Sequence, residues 1–190
     1  MICLVSYAET PLVYEGSVSG NVSSGDFAPY YIMSNNGGVL TQPDAVLMRL
    51  DATKEMDKRS RFSYGFGLSA IGGWQSEYKQ YTAAPEGFMP KAQGENPSAL
   101  VLQQAYGEVK YRGVFLTMGL KEYHSPLLNE KLGSGDWIQS NNARPVPQAR
   151  AGFIDFQNIP FTNGWVQIQG EIAYGKYAHD DWFEDHYNYY

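Results

Sequence analysis

Apolar and polar residues alternate along several long segments, and this pattern constrains the fold more than any other feature of the chain. In residues 62–74 one set of alternate positions begins with Phe62, Tyr64 and Phe66, whereas serine and glycine fill most of the other set. Successive side chains of a β-strand point to opposite faces, so this period predicts a strand with one apolar and one polar face. Strands are predicted at residues 12–23, 45–52, 62–74, 105–111, 114–120, 148–157 and 165–177. No segment of useful length has a helical period, so the sequence predicts an all-β fold.

The predicted strands are long, and aromatic residues lie near the ends of their apolar faces. Residues 12–23, 62–74 and 165–177 exceed the ~5–6 residues usual for strands of globular proteins. Tilted strands of about 9–11 residues can cross a bilayer. Aromatic side chains such as Tyr14 and Trp74 would then lie at the level of the lipid headgroups. Strand length and aromatic placement both favour a membrane barrel.

The gaps between the predicted strands alternate between long and short. Long gaps at residues 24–43, 75–99 and 122–147 alternate with short gaps at 53–61, 112–113 and 158–164. Outer-membrane barrels have long extracellular loops and short periplasmic turns, and gaps this long are uncommon in compact soluble domains. We therefore expect an antiparallel outer-membrane β-barrel with its long gaps outside the cell.

The number of predicted strands and the N-terminal residues bear on domain organisation. Seven strands are too few for a bacterial barrel, which normally has an even number of at least eight. We therefore expect residues 1–190 to be a single β-barrel region, the N-terminal portion of a longer barrel. Ser6, Tyr7 and Ala8 have the small-x-small form of a signal-peptidase site. We interpret residues 1–8 as the remnant of a signal peptide; an ordinary first strand is the alternative.

Composition argues against several classes of function. The chain has a net charge of −6 and no long run of Lys or Arg, which argues against a nucleic-acid partner. The single cysteine, Cys3, cannot form an internal disulfide or a cysteine metal site. The sequence contains no P-loop, no dinucleotide fingerprint and no Gly-x-Ser-x-Gly elbow. We therefore expect neither a cofactor nor enzymatic activity.

Two polar clusters contain residue types that take part in chemistry elsewhere. His124 and Ser125 are neighbours, but neighbours on an extended chain point in opposite directions, so His124 is poorly placed to activate Ser125. Residues 179–186 combine carboxylates with His179 and His186, and their oxygens could ligate a hard divalent cation. Spacing alone is a weak signal, and a solvated acidic loop is the preferred interpretation. We assign no metal site, and the sequence leaves open whether this segment binds a cation.

Several spaced motifs resemble the capsule-assembly (Wzi) family of outer-membrane proteins. Residues 27–38 (FAPYYIMSNNGG) are similar to an early segment of that family. Residues 114–120, 134–137 and 140–147, the last reading SNNARPVP, are similar to its middle segment, and the run IPFTNGW within 155–165 is similar too. The resemblance implies a barrel in the outer membrane of Gram-negative bacteria. It also implies a surface lectin that binds or organises capsular polysaccharide.

The predicted outer loops contain residue types that bind sugars. Aromatic faces pack against sugar C–H groups, and amides form hydrogen bonds with hydroxyls. The expected glycan-binding residues are Tyr30, Tyr31, Asn35, Asn36, Trp137, Asn141, Asn142 and Arg144. Any single tyrosine can equally be a membrane-interface residue and any single asparagine a turn former, so the prediction concerns the set. Outer-membrane lipid and lipopolysaccharide are the other expected partners.

Two alternative functions stay open at this point. Polar positions such as Gln104, Glu108 and Lys110 would suit the water-filled lumen of a general diffusion porin. A secreted β-sandwich that binds glycans without a membrane would also show alternating strands. Ion conductance in planar bilayers tests the porin, and solubility without detergent tests the sandwich.

Overall fold

The computed structural model of the protein describes residues 10–25, 28–84, 87–95, 99–123 and 141–176. Within these ranges the chain is all-β apart from one short helix, α1 (Tyr30–Met33). The prediction of an all-β fold is therefore confirmed. No helix in the same ranges is long and apolar enough to cross a membrane.

Eleven strands follow one another along the described residues. They are β1 (Leu12–Asn21), β2 (Ala45–Lys54), β3 (Phe62–Gln75), β4 (Tyr78–Ala84), β5 (Gly87–Glu95), β6 (Leu100–Tyr111), β7 (Val114–Leu120), β8 (Pro147–Phe153), β9 (Gln157–Asn158), β10 (Gln167–Ile168) and β11 (Glu171–Gly175). Seven of them form one antiparallel sheet in the order β1, β2, β3, β6, β7, β8, β11. The pairs β4–β5 and β9–β10 form separate two-stranded sheets. In the described residues β1 and β11 are the edges of the large sheet, which is not closed into a barrel.

The register of the large sheet separates its side chains into two faces of opposite character. Along one cross-strand row, Phe62, Tyr111, Val114 and Phe153 lie opposite one another in turn. We call this side the apolar face. Its exposed members are Leu12, Tyr14, Val18, Val46, Met48, Leu50, Phe62, Tyr64, Phe66, Leu68, Trp74, Leu100, Leu102, Val109, Tyr111, Val114, Leu116, Met118, Ile172 and Tyr174.

The opposite side, which we call the polar face, is the more buried of the two. Ser69 and Gln103 are 0% exposed, Lys110 is 2% exposed and Glu108 is 6% exposed. A soluble protein buries apolar residues and exposes charged ones. The sheet has the reverse arrangement.

Strand 100–111 is longer than predicted, and a β-bulge explains why its first half was missed. The pairing of β3 with β6 shifts between Ser69 and Ala70, which leaves Gln103 as an extra residue in β6. An extra residue reverses the alternation beyond it, so Leu100 and Leu102 are out of phase with Ala105. The bulge also places Gln103 and Gln104 together on the polar side of the strand, where both reach the same carboxylate.

The predicted continuous strand at residues 165–177 is wrong. Gln167 and Ile168 pair with β9, and only β11 joins the large sheet. A local turn competes with the long strand, since Phe161 and Asn163 adopt left-handed backbone angles of 70° and 52°. The predicted short gap at 158–164 is thus part of a longer connection, residues 154–170. The predicted gap at 75–99 likewise contains the β4–β5 hairpin.

The connection between β1 and β2, residues 22–44, folds over one end of the polar face. Its Ala28 and Leu40 form a buried cluster with Ala45 of β2, and Leu47 packs against this cluster. The side-chain oxygen of Gln75 accepts hydrogen bonds from the backbone N–H groups of residues 41 and 42, and its nitrogen donates to the carbonyl of residue 39. A buried glutamine of β3 therefore holds this connection against the sheet.

Candidate functional site

Asn35 and Asn141, which are far apart in sequence, meet at the end of the sheet that carries the β1–β2 connection. The side-chain amide of Asn141 donates to Oδ1 of Asn35 at 3.0 Å. The backbone N–H of Gly37 donates to the carbonyl of Asn141 at 3.1 Å, and that of Gly38 donates to Oδ1 of Asn142 at 3.0 Å. We call these five residues the asparagine junction. It joins the β1–β2 connection to the segment that leads into β8.

Glycine is required at two positions of this junction. Gly37 and Gly38 have positive φ angles of 57° and 74°, which side-chain-bearing residues rarely adopt. A Cβ at Gly37 would lie 2.5 Å from Nε2 of Gln103, and a Cβ at Gly38 would lie 2.7 Å from the carbonyl oxygen of Asn142. The chain therefore turns where only glycine allows both the backbone angle and the close approach.

A cavity of about 280 Å³ lies between the junction and the polar face. We call it the loop pocket. Its walls combine amides and hydroxyls with a few apolar groups, so it offers both donors and acceptors to a polar ligand. It is lined by Ser17, Ser19, Asn35, Asn36, Gly37, Val39, Leu47, Arg49, Ile71, Glu122, Tyr123, Asn141, Ala143 and Pro145.

Arg49 organises the floor of the loop pocket. Its Nε lies 2.9 Å from Oδ2 of Asp51, and its two terminal nitrogens donate to the carboxylate oxygens of Glu122 at 3.2 and 3.0 Å. Two-pronged contacts between guanidinium and carboxylate fix geometry as well as charge. Both Asp51 and Glu122 are mostly buried, with side chains 12% and 17% exposed. The guanidinium is therefore held in place by two carboxylates on different elements.

Glu122 also accepts hydrogen bonds from the two glutamines that the bulge in β6 brings together. Nε2 of Gln103 donates to Glu122 at 2.8 Å and Nε2 of Gln104 donates to it at 3.2 Å. Gln103 additionally donates to the carbonyl of Gly37 at 3.0 Å. We call Arg49, Asp51, Gln103, Gln104 and Glu122 the Arg49 network. The network links the sheet to the asparagine junction, so the pocket floor and the loop above it form one hydrogen-bonded unit.

A second cavity, of about 400 Å³, lies on the polar face nearer the turn 55–61, along β6, β7, β8 and β11. Lys121 forms an ion pair with Glu108, and its amino group lies 4.6 Å from the ring centre of Tyr106. On the far side, Arg150 lies 3.3 Å from Glu171, and its guanidinium lies 4.2 Å from the ring centre of Tyr123. Charges of both signs therefore line the polar face well beyond the loop pocket.

The predicted glycan-binding residues fall into distinct groups. Asn35, Asn36 and Asn141 line the loop pocket, and Asn142 braces the β1–β2 connection through Gly38. Three residues are exposed without lining the pocket: Tyr30 and Tyr31 on α1, at 69% and 75%, and Arg144. Trp137 lies outside the described residues.

Other sequence predictions also lie outside the described residues. These are the interpretation of residues 1–8, the pair His124 and Ser125, and the acidic segment 179–186. In the ranges that the structure does describe, no group of three or more His, Cys, Asp or Glu side chains could hold a metal ion.

The sequence predictions missed the Arg49 network. Arg49 and Asp51 lie two residues apart in a predicted strand, and that spacing alone places them on the same face. Glu122 lies just beyond β7, and nothing in its local sequence indicates that it meets β2. The sequence therefore indicates the pairing of Arg49 with Asp51 but not the contact with Glu122.

Comparison of the chain with models of protein families, with curated proteins and with solved structures finds no match. The resemblance of residues 27–38 and 140–147 to the capsule-assembly family therefore stays a prediction. The two faces of the sheet and the loop pocket are the structural features that bear on the function of the chain.

Proposed function

We propose that this sheet is part of the wall of an outer-membrane β-barrel whose long-connection end binds capsular polysaccharide at the cell surface. The observation that carries the proposal is the reversed polarity of the sheet. Large apolar side chains are exposed on β1, β2, β3, β6, β7 and β11 of the sheet, while Lys110, Glu108 and Gln103 of β6 are buried on the other face. Transmembrane barrels alternate in this way, with apolar residues facing lipid and polar residues facing the lumen.

Exposing such a face to water would be unfavourable. Burial of apolar surface is worth roughly 25 cal/mol per Å², and apolar patches beyond a few hundred Å² mark interaction surfaces. In a β-sandwich a second sheet would cover this face, but among the described residues only two-stranded pairs lie outside the large sheet. Lipid is the occupant that suits a face spread over so many strands, so the reversed polarity favours a barrel over a secreted sandwich.

The distribution of aromatic residues on the apolar face supports the same proposal. Phe62, Tyr64 and Tyr111 lie at the end with the turns 55–61 and 112–113, whereas Trp74 lies at the end with the long connections. Aliphatic residues such as Leu68 lie between them. Aromatic girdles at both interfaces and an aliphatic band between are typical of outer-membrane barrels.

The β1–β2 connection favours a lectin over an open porin. It folds onto the polar face and is held there by Gln75, by Gln103 and by the asparagine junction. In a barrel the polar face lines the lumen, and some barrels have a lumen plugged by loops. The loop pocket would lie at the mouth of that lumen, where its amides and hydroxyls suit the hydroxyl groups of a sugar. The resemblance to the capsule-assembly family supports capsular polysaccharide as the ligand, with binding rather than catalysis as the role.

Polysaccharide binding by the complete barrel that contains this sheet, reconstituted in phosphatidylcholine vesicles, tests this function. Fluorescently labelled capsular polysaccharide should bind the wild type, and the double variant Asn35→Ala/Asn36→Ala should bind at least tenfold more weakly. Asn158→Ala is the matched control, since it removes an amide that lies in β9, away from the loop pocket. Equal binding by all three proteins would contradict the assignment of the loop pocket. Large conductance steps in planar bilayers would favour the porin instead.

A further inference from the structure

Cations lie beside the tyrosines of the apolar face at the end of the sheet that carries the turns 55–61 and 112–113. The guanidinium carbons of Arg61 and Arg112 lie 5.8 and 5.5 Å from the ring centre of Tyr111. The amino group of Lys54 lies 3.8 Å from the ring centre of Tyr64 on the same face. Positive charge is therefore concentrated where the apolar face ends.

The two arginines belong to one continuous patch. The backbone N–H of Arg112 donates to the carbonyl of Arg61 at 2.6 Å, so the two turns that carry these residues touch. Tyr111 lies opposite Phe62 in the register of β3 and β6, and both rings are more than half exposed, at 56% and 62%. We call Arg61, Phe62, Tyr111 and Arg112 the arginine patch.

Arg112 adopts a backbone conformation that costs energy. Its φ angle is 56°, which is left-handed, although a glycine follows it immediately. Strained backbone angles at residues other than glycine persist where the surrounding structure enforces them, and they cluster at functional sites. A two-residue hairpin turn favours glycine at a position of positive φ, and here the position is occupied by an arginine.

Charge in this region favours an anionic ligand. The turns and adjacent strand ends carry Lys54, Lys58, Arg59, Arg61 and Arg112, against Glu55, Asp57 and Asp155, although the whole chain has a net charge of −6. One carboxylate, that of Asp57, accepts a hydrogen bond from the backbone N–H of Arg59 at 2.8 Å. Among the described residues neither Arg61 nor Arg112 forms an ion pair with a carboxylate. Both guanidinium groups can therefore receive an outside anion.

We propose that the arginine patch binds the headgroup of an anionic phospholipid in the membrane leaflet that surrounds the turns 55–61 and 112–113. This inference rests on the proposed membrane barrel. One guanidinium group can donate two parallel hydrogen bonds to two oxygens of a phosphate. Tyrosine rings of membrane proteins lie at headgroup depth. The acyl chains would follow the apolar face next to Phe62 and Val114. A choline headgroup is a weaker ligand, because its quaternary ammonium cancels the charge of the phosphate and leaves the lipid neutral.

Urea-dependent folding of the complete barrel that contains this sheet, in two kinds of vesicle, tests the patch. One kind contains phosphatidylcholine alone, and the other contains phosphatidylcholine with a minor share of phosphatidylglycerol. A cation near an anionic surface contributes about a fivefold change in an equilibrium constant at low salt. We expect phosphatidylglycerol to raise the folding equilibrium constant of the wild type. In Arg61→Gln/Arg112→Gln the factor by which phosphatidylglycerol raises this constant should be about 25-fold smaller. In phosphatidylcholine the double variant should fold as the wild type does.

Two controls separate the arginine patch from general charge. Lys176→Gln removes an exposed cation at the opposite end of the sheet, where its backbone N–H donates to the carbonyl of Pro147, and should keep the full gain from phosphatidylglycerol. Arg61→Lys/Arg112→Lys should restore part of the gain, since it keeps the charge and loses the paired geometry. If Arg61→Gln/Arg112→Gln keeps the full gain while folding into both vesicles, the patch is overturned and the barrel stands. If the wild type folds into neither, the membrane proposal fails and the patch fails with it.

Discussion

Asn35 and Asn141, 106 residues apart, are joined by a 3.0 Å hydrogen bond from the side-chain amide of Asn141 to Oδ1 of Asn35. The two residues belong to identical Ser-Asn-Asn triplets. Each triplet taken alone is ordinary turn chemistry. Their meeting closes the loop pocket, because the segment before β8, together with Gln75 and Gln103, holds the β1–β2 connection over the polar face. The repeated triplet is therefore a contact between two loops.

Replacement of Gly38 should disturb this contact. Gly38→Ala places a Cβ 2.7 Å from the carbonyl oxygen of Asn142 at a φ angle of 74°. We expect a loss of about 1–3 kcal/mol in the free energy of unfolding, together with weaker polysaccharide binding. Urea unfolding in lipid vesicles measures the first and polysaccharide binding measures the second. Gly107→Ala is the matched control, since a Cβ there meets nothing within 4 Å. A Gly38→Ala protein as stable as the control would show that the junction does not order the loop.

Replacement of Arg49 should lower the free energy of unfolding more than replacement of an exposed arginine. Arg49→Met leaves the carboxylates of Asp51 and Glu122, 12% and 17% exposed, without their cation. Breaking a buried pair from one side costs about 3–5 kcal/mol; Arg49 is partly hydrated, so we expect about 2 kcal/mol. Arg59→Met, at an exposed turn position, should change the free energy of unfolding by less than about 0.5 kcal/mol. Equal losses for the two variants would contradict a supporting role for the Arg49 network.

The two faces of the sheet should respond differently to a new charge. Leu116 is 41% exposed on the apolar face, so Leu116→Arg should cost roughly 2–4 kcal/mol for folding into lipid. Ser19→Arg places the same side chain on the exposed part of the polar face. It should reduce the free energy of folding into lipid by far less. Ile168→Arg should also be mild, because Ile168 lies in β10, outside the large sheet. Urea titrations in vesicles compare the three variants, and a similar cost for Leu116→Arg and Ser19→Arg would remove the distinction between the faces.

The sequence predicted the sheet better than it predicted the site, and the reasons are physical. Strands such as β3 were recognisable because one face is apolar throughout their length, so the period of two survives. In β6 a single bulge residue, Gln103, reversed the period. Before residues 165–177, the turn around Asn163 pairs residues 167–168 with β9, so only the second part of an apparently continuous pattern joins the large sheet. The asparagines of the pocket were chosen by residue type. Their pairing, like that of Arg49 with Glu122, depends on the order of strands in the sheet, which the local pattern of residues does not contain.

Folding with and without a membrane tests the central claim most directly. The free energy of unfolding of the complete barrel that contains this sheet should be measured by urea titration in aqueous buffer and in phosphatidylcholine vesicles, with circular dichroism and tryptophan fluorescence as signals. An apolar face of this extent has nothing to bury it in water, whereas a bilayer buries it. We therefore predict a cooperative transition in vesicles and no stable native state in buffer. A cooperative transition with the same free energy of unfolding in both would contradict the barrel.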